Sequence, residues 1–269
     1  MAHLLGAYLA LLEDLRSAGF CCRPVRDYFL ARVARDAGPV ACEKETLTAY
    51  LRHDVDRLPQ RAVAMAEAEA GRGIHASYYF RCDARMRFPE RAMGRIADLG
   101  HEIGFHYESL SRTGGDRAAA LALFQRELAA CRAIVPVTTV APHGAPLAAS
   151  ANMDLAASIT SEGAELLGDA TDMDFTHMLY VTDTGGIFGS PYNFRDRPAG
   201  QYLSEPVAPT HLAAWLAEHG VARLTLSCHP ERWPASRLGL LQARITDAAG
   251  NAAKIMLHRR VKWLGSVAT

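Results

Sequence analysis

Short runs of β-branched and aromatic residues alternate along the chain with longer segments in which apolar residues recur every three or four positions. The short runs predict strands over residues 47–55, 75–81, 101–107, 137–143, 165–170, 178–183 and 221–229. The longer segments predict helices over residues 58–72, 88–99, 116–134, 151–160 and 209–219, with a last helix from about 236. Alternating strands and helices favour an α/β fold with a parallel sheet, either open or closed into a barrel.

The first twenty residues are apolar enough to suggest a signal peptide, but they lack a basic start, and Glu13, Asp14 and Arg16 interrupt the apolar run. Their apolar residues fall at helical spacing, which predicts an amphipathic helix ending near Gly19. No other window approaches the roughly 18 apolar residues that cross a bilayer. We therefore expect a cytoplasmic protein with no integral membrane segment.

The chain of 269 residues is 49% apolar and has no internal linker. These properties predict a single domain over residues 1–269, with a helical N-terminal extension over about 1–45. Residues 185–207, which are rich in glycine and proline, predict a long loop over one end of the domain.

Charge and cysteine content restrict the function classes. Lys plus Arg and Asp plus Glu both number 29, so the formal net charge is zero and no long-range field favours nucleic acid. The six cysteines form no CxxC pair, which predicts reduced thiols rather than a disulfide framework. A partner must therefore be inferred from a site.

Titratable side chains stand at or near the carboxyl ends of the predicted strands, where parallel α/β folds bind their ligands. They are Asp54, Asp56, His106, His143, Asp183 and His229. A mixed set of carboxylates and imidazoles suits Zn²⁺ or a similar divalent ion. The sequence also has no GxGxxG, phosphate-loop, GxSxG or HExxH motif.

The local alternatives to metal binding remain open at two places. Asp54 and Asp56 face one side of a strand while His53 faces the other, but Asp56 also precedes a helix and is equally suited to capping it. His101 and His106 fall on opposite strand faces, so they cannot share one metal from regular structure. His101 fits a structural role better.

The ordered segments LRHDVD, SYYFR, GHEIGFH, APHGAP, YVTDTGG and LSCHPERW resemble the polysaccharide deacetylase superfamily, which comprises the NodB-homology or carbohydrate esterase family four proteins. The likeness is greater to an intracellular branch found in surface-polysaccharide biosynthesis. The resemblance runs from about residue 47 to 233. It implies a distorted (β/α) barrel with about seven parallel strands and a divalent metal, zinc in the first instance, at its mouth.

Carried over by motif, the resemblance implies that Asp54 is the general base and that His229 is the general acid. It also implies that Asp56 and His106 are metal ligands. Asp183 is expected to orient a charged neighbour or to lie near the substrate.

This sequence departs from the family pattern at two positions. Leu110 stands where the family usually places a second metal-binding histidine, and Val140 replaces an arginine of the third motif. We expect His143 to replace the missing ligand, because a catalytic zinc needs about three protein ligands and an open position. Glu108 is the alternative ligand.

The implied reaction is metal-assisted hydrolysis of an N-acetyl group on an amino sugar, with a backbone N–H near His143 or Gly144 binding the developing oxyanion. The substrate is expected to be an N-acetylated saccharide or a nucleotide- or lipid-linked sugar, contacted by Arg52, Arg81 and the loop at 192–197. Loss of a ligand at Leu110 favours one alternative, a carbohydrate-binding protein without catalysis. The resemblance also implies a second alternative, which keeps the metal-assisted hydrolysis but acts on a small cyclic amide, as some relatives in the superfamily do.

Overall fold

The computed structural model describes residues 4–36, 46–145, 148–161, 165–193 and 197–267. All strand pairs in these ranges are parallel. The strands are β1 (Cys21–Pro24), β2 (Thr48–Val55), β3 (Ser77–Phe80), β4 (Glu102–Tyr107), β5 (Thr139–Pro142), β6 (Gly168–Asp169), β7 (Leu179–Thr182) and β8 (Arg223–Cys228). The seven strands expected from sequence are confirmed, and β1 is an addition.

Strand β2 pairs with three other strands of the sheet, whose main order is β6-β5-β4-β3-β2-β8-β7 with β1 beside β2. One edge of β2 pairs with β8 along residues 48–53. The other edge is shared, since residues 48–51 pair with β1 and residues 52–55 pair with β3. The chain therefore brings the first catalytic motif expected from sequence to the middle of the fold.

The helices flank the sheet at the positions that apolar periodicity predicts, α2 falls within the expected helical extension, and the single turn α5 was not expected. They are α1 (Leu5–Ser17), α2 (Val25–Asp36), α3 (Pro59–Ala70), α4 (Glu90–Asp98), α5 (Ser109–Arg112), α6 (Arg117–Arg132), α7 (Ala156–Ser161), α8 (Pro209–Glu218) and α9 (Arg237–Val267). Short 3-10 turns precede α7 and follow β8.

The segment expected to be a helical extension contains a strand of the main sheet, because β1 pairs with β2. Residues 37–45 of that segment lie outside the described residues. Four residues of β1 give too short a run for alternation to be recognised. The N-terminal region is thus built into the sheet at least as far as α2.

Two separate groups of buried side chains show that the sheet is curled into a half-barrel. The larger group lies between the sheet and helices α1, α3, α4, α6 and α8. The smaller joins Tyr79 of β3, Ala141 of β5 and Tyr180 of β7 to Val25 and Phe29 at α2. Strands this far apart in the sheet order share one inner cluster only because the sheet bends around it. The expected distorted (β/α) barrel is confirmed.

Several other expectations concern the chain as a whole. Residues 183–207 connect β7 to α8 with little regular structure in their described part, as the glycine and proline content predicts. The five cysteines in the described ranges are all free, and Cys42 lies outside them. No helix in the described part of the chain is long and apolar enough to span a bilayer.

Candidate active site

Asp56 lies at the centre of a cluster formed by residues from the carboxyl ends of four strands. Its Oδ1 is 3.5 Å from His106 Nε2, and its Oδ2 is 3.6 Å from His143 Nε2 and 3.9 Å from His229 Nε2. These imidazoles come from β4 and from the residues directly after β5 and β8. The structure therefore brings Asp56 together with His106, His143 and His229, which were predicted to be near one another because they stand at strand ends.

The alternative role of Asp56 as a helix cap is wrong. Helix α3 begins at Pro59, and its N-cap residue is Leu58, which has a left-handed φ of 52° and receives no side-chain capping bond. Asp56 Oδ1 is buried and has no hydrogen-bond partner. Burial raises the pKa of this carboxyl, but His143, His106 and His229 together hold it well below its ordinary value. Asp56 is thus an anion facing three imidazoles.

The carboxylate of Asp54 is paired with Arg52 of the same strand. Arg52 Nε and Nη2 donate to the two carboxylate oxygens of Asp54, each at 2.8 Å. Side chains two apart on a strand face the same side, so the pair forms within one strand. Burial acts to raise the pKa of Asp54, whereas Arg52, His106 and His229 lower it, and the net shift is downward. Asp54 is therefore ionised at neutral pH.

Arg52 was expected near the substrate, but its side chain is only 1% exposed and both of its bonds to Asp54 lie in the interior. Its guanidinium carbon also lies 5.6 Å from the centre of the Tyr79 ring. Tyr79 fits there because the neighbouring residue on β4 is Gly104, where a Cβ would come within 2.3 Å of the Tyr79 ring. The structure gives Arg52 a position behind the site.

His106 presents Nε2 to the two aspartates. Its Nδ1 lies 3.0 Å from the carbonyl oxygen of Ala141 on β5. A carbonyl only accepts, so Nδ1 carries the proton and Nε2 keeps its lone pair. Nε2 is 3.5 Å from Asp56 Oδ1 and 3.8 Å from Asp54 Oδ2. Burial lowers the pKa of His106 to about 4, so the ring is neutral near pH 7.

His143 is fixed by its backbone on both sides. Its N–H donates to the carbonyl of Tyr107 at 2.7 Å, and its own carbonyl accepts from Asn152 Nδ2 at 2.7 Å. Since that N–H is already used, His143 is not the oxyanion donor, and Gly144 is the remaining backbone candidate of the two. Burial acts to lower the pKa of His143, but Asp56 and Glu108 raise it to about 9.

Glu108 and Arg81 form an ion pair along one side of the cluster. Arg81 Nη2 donates to Glu108 Oε2 at 2.6 Å, and Arg81 Nη1 lies 3.5 Å from His143 Nε2 and 3.9 Å from Asp56 Oδ1. Glu108 Oε2 is also 3.3 Å from His143 Nδ1. Arg81 therefore lies at the cluster as expected, while Glu108 serves Arg81 and His143 in this arrangement.

Asp183 and His229 make a second buried pair, from the ends of neighbouring strands β7 and β8. Asp183 Oδ1 is 2.6 Å from His229 Nδ1, and Oδ2 accepts from the His229 backbone N–H at 3.0 Å. Burial and Arg232 act to lower the pKa of His229, yet Asp183 and Asp56 raise it to about 9. His229 is therefore a cation at neutral pH. Asp183 is fully buried, so it orients His229 and lies away from the cleft.

The ionised base candidate and the protonated acid candidate are close in the sheet. Strands β2 and β8 align His53 with Cys228. Asp54 and His229 directly follow these two residues, so they also lie side by side. His53 itself points to the opposite face and lies 2.9 Å from the buried Glu69. His101 receives the Ala76 N–H at 3.1 Å, which confirms its structural role.

Several residues that support the site were missed from sequence. Trp233 Nε1 donates to Asp183 Oδ2 at 2.8 Å, and Arg232 Nη1 lies 3.4 Å from Asp183 Oδ1. Asn152 orders the loop of His143. Glu231 is a buried carboxyl whose pKa is raised by burial and by Asp56. No spacing rule connects these side chains to their partners, because the contacts join different elements, most of them far apart in the chain.

The donor types of the cluster fit a zinc site. Tetrahedral zinc places neighbouring ligand atoms about 3.3 Å apart, and the contacts of Asp56 with His106 and His143 are 3.5 and 3.6 Å. The unpartnered Asp56 Oδ1 and the lone pair on His106 Nε2 are available to a cation. Within the described residues, however, no group of three such side chains is arranged closely enough to hold an ion.

Comparisons with known proteins give little further information. No protein-family model matches the chain, and no curated protein matches it. The chain is similar to the crystal structure of a mutant of a CE4 family pseudoenzyme with restored enzymatic activity, at 14% identity and a TM-score of 0.35. The likeness covers 68% of this chain and 65% of that one. A likeness at this level carries no argument about activity, which depends on the residues described above.

Proposed function

We propose that the protein is a metal-dependent hydrolase that removes an N-acetyl group from an amino sugar in a bacterial polysaccharide precursor. The observation that carries the proposal is the position of Asp56, with three imidazole nitrogens within 3.9 Å. Asp54 and His229 lie beside it on adjacent strands in opposite charge states. Perturbed titratable groups that converge in this way are typical of catalytic sites.

The chain divides the proton transfers between two residues. Asp54, kept ionised by Arg52, accepts the proton of the attacking water. His229, kept protonated by Asp183, donates a proton to the leaving amine. Arg52 and Asp183 act through these two residues, because both are buried behind them. Each pair thus fixes one protonation state before the substrate binds.

Asp56, His106 and His143 are the residues that would hold a divalent ion, with zinc as the first candidate, and His143 would have to release its proton to do so. When bound, such an ion acidifies water and polarises the acetyl carbonyl. The Gly144 N–H is the backbone donor nearest in sequence to His143 for the oxyanion. Arg81, which contacts His143 and Glu108, keeps the cluster close to neutral by offsetting its carboxylates.

Metal content tests the first part of the proposal. Protein purified in the presence of zinc or cobalt is expected to retain about one ion per chain, and Asp56→Ala or His143→Ala is expected to lose it. The exposed His177 provides the matched control, since His177→Ala removes an imidazole far from the cluster. Wild-type protein without an ion overturns the metal proposal. Full retention in His143→Ala overturns the assignment of that ligand.

Acetate release tests the second part. N-acetylated nucleotide sugars and lipid-linked saccharides form the substrate panel. Asp54→Asn and His229→Ala are each expected to lower kcat by about 10²–10⁴, as is usual when a positioned acid or base is removed. Metal-loaded wild-type protein that releases no acetate from any member of the panel overturns the activity.

One observation favours a second candidate, a carbohydrate-binding protein without catalysis. Leu110 is buried in the apolar core, so it leaves the ligand set one histidine short of the family pattern. Among the described side chains no set of three closes around an ion. This candidate expects the same saccharides to bind, as measured by equilibrium dialysis with labelled saccharide, without acetate release, whereas the hydrolase releases acetate from the saccharides that it binds.

A further inference from the structure

A cavity of about 550 Å³ opens directly beside the cluster. Asp56 lines both the cluster and the cavity, so a molecule that reaches the reacting atoms extends into this space. Val55, Pro59, Phe88 and Pro89 supply apolar parts of its wall. Its volume falls within the usual range for small-molecule sites.

Three arginines line this cavity together with two aspartates, so its wall carries one excess positive charge: Arg57, Arg81 and Arg87 against Asp56 and Asp83. Asp56 faces the imidazoles of the cluster, and Arg81 borders both the cluster and the cavity. Each of the three guanidiniums has a carboxylate partner: Glu231 for Arg57, Glu108 for Arg81 and Asp83 for Arg87.

Each arginine keeps donors that its present partner does not use. Arg81 Nε is buried and has no hydrogen-bond partner. Arg57 contacts Glu231 through Nη2 alone, at 3.3 Å, and its side chain is 48% exposed. Arg87 is oriented by Asp83, which accepts from its Nε at 2.8 Å. A guanidinium carries five N–H donors, so all three retain capacity for another oxygen acceptor.

We infer that this cavity binds a phosphate or diphosphate group of the substrate next to the amide that is hydrolysed. The inference rests on the proposed function for the nature of the reaction, but the anion site itself stands on the cavity and its arginines. A phosphate offers several acceptor oxygens and a double charge, which matches several guanidiniums better than one carboxylate does. The substrate class becomes a phosphorylated or nucleotide-linked N-acetyl amino sugar.

Binding of inorganic pyrophosphate, measured by isothermal titration calorimetry, tests the site without requiring turnover. Wild-type protein is expected to bind it, and Arg57→Gln and Arg87→Gln are each expected to weaken binding about tenfold or more. Arg85 lies in the same loop as Arg87 but does not line the cavity, so Arg85→Gln is the matched control and is expected to bind as wild type does. Equal loss in Arg85→Gln, or no loss in the other two, overturns the site.

Two further arms separate the sources of binding. Pyrophosphate bound through a metal is lost in Asp56→Ala, whereas pyrophosphate bound by the arginines survives that change, so its loss overturns the inference. Acetate offered in place of pyrophosphate is expected to bind at least tenfold more weakly, and equal affinity overturns the choice of phosphate.

Turnover then tests the connection to the reaction. N-acetylglucosamine 1-phosphate is expected to give a higher kcat/KM than N-acetylglucosamine, and Arg87→Gln is expected to reduce that preference. Pyrophosphate binding without any acetate release retains the anion site and rejects the hydrolase. Acetate release with no preference for the phosphorylated sugar retains the hydrolase and rejects the anion site.

Discussion

The buried pair of Asp183 and His229 allows a sharp test of the chemistry, because its removal affects stability and protonation together. In Asp183→Asn the carboxylate charge is lost while the shape is nearly kept. Asp183 accepts from His229 Nδ1, from the His229 backbone N–H and from Trp233 Nε1. The asparagine leaves the His229 imidazolium and Arg232 without their buried anion.

The stability that this pair contributes follows from the pKa of each partner. Burial opposes ionisation of Asp183, but His229 and Arg232 lower its pKa from 3.8 to about 2. The pKa of His229 is raised from 6.5 to about 9. A carboxyl whose pKa is lowered by folding contributes stability above its unfolded pKa. An imidazole whose pKa is raised by folding contributes stability below its unfolded pKa. The shared interaction is therefore complete between roughly pH 4 and 6.5, and is worth about 2–3 kcal/mol at 1.36 kcal/mol per pKa unit.

Urea unfolding at pH 6 is expected to show Asp183→Asn about 2–4 kcal/mol less stable than wild type, since removing one partner of a buried pair leaves the other uncompensated. The difference is expected to shrink as the pH rises through 9. NMR of the imidazoles is expected to show His229 titrating near 9 in wild type and below 6.5 in the variant. Asp14→Asn, on the exposed side of α1, is the control. A variant in which His229 still titrates near 9 refutes the reasoning.

Three other substitutions test separate parts of the fold by urea unfolding. Burial raises the pKa of Asp169 to about 6, so its ionisation costs stability as the pH rises from 4 to 7. Over that range wild type is expected to lose about 3 kcal/mol of unfolding free energy relative to Asp169→Asn. Parallel plots of unfolding free energy against pH for the two proteins would reject this. Gly104→Ala is expected to lower the free energy of unfolding by about 1–3 kcal/mol, because the added Cβ would meet the Tyr79 ring. An unchanged stability would contradict that close packing. Glu69→Gln is expected to cost about 3 kcal/mol, because Tyr78 and His53 lose their buried carboxylate, and Glu67→Gln on the exposed face is its control.

The order of elements was predictable because the apolar periodicity changes clearly between strands and helices. All seven expected strands and the expected helices lie within a few residues of their predicted positions. Strand β1 was not predicted, because its four residues show no alternation. Helix α2 was expected only as part of a helical extension, without bounds of its own, because it buries only Val25, Tyr28 and Phe29. Their position depends on pairing with β2, which is a tertiary contact.

The candidate site was predictable as a list of strand ends but not as a set of contacts. Parallel strands bring their carboxyl ends to one edge, so His106, His143 and His229 were expected near Asp56. The pairing of Arg52 with Asp54 was within reach, since residues two apart on a strand share a face. The pairing of Asp183 with Trp233 was not, because it joins two loops whose relative position only the folded sheet determines.

Arg52 gives Asp54 a buried cation in a chain that lacks the arginine of the third motif of the family that the sequence resembles. Val140 stands at that position and is buried in the core of the sheet. The base candidate instead receives two parallel hydrogen bonds from its own strand, while the acid candidate receives its carboxylate from the neighbouring strand β7. A cation behind Asp54 and an anion behind His229 drive the two groups to opposite charges. Because both partners are buried, water cannot screen this polarisation, and the chain itself prepares one group to accept a proton and the other to donate one.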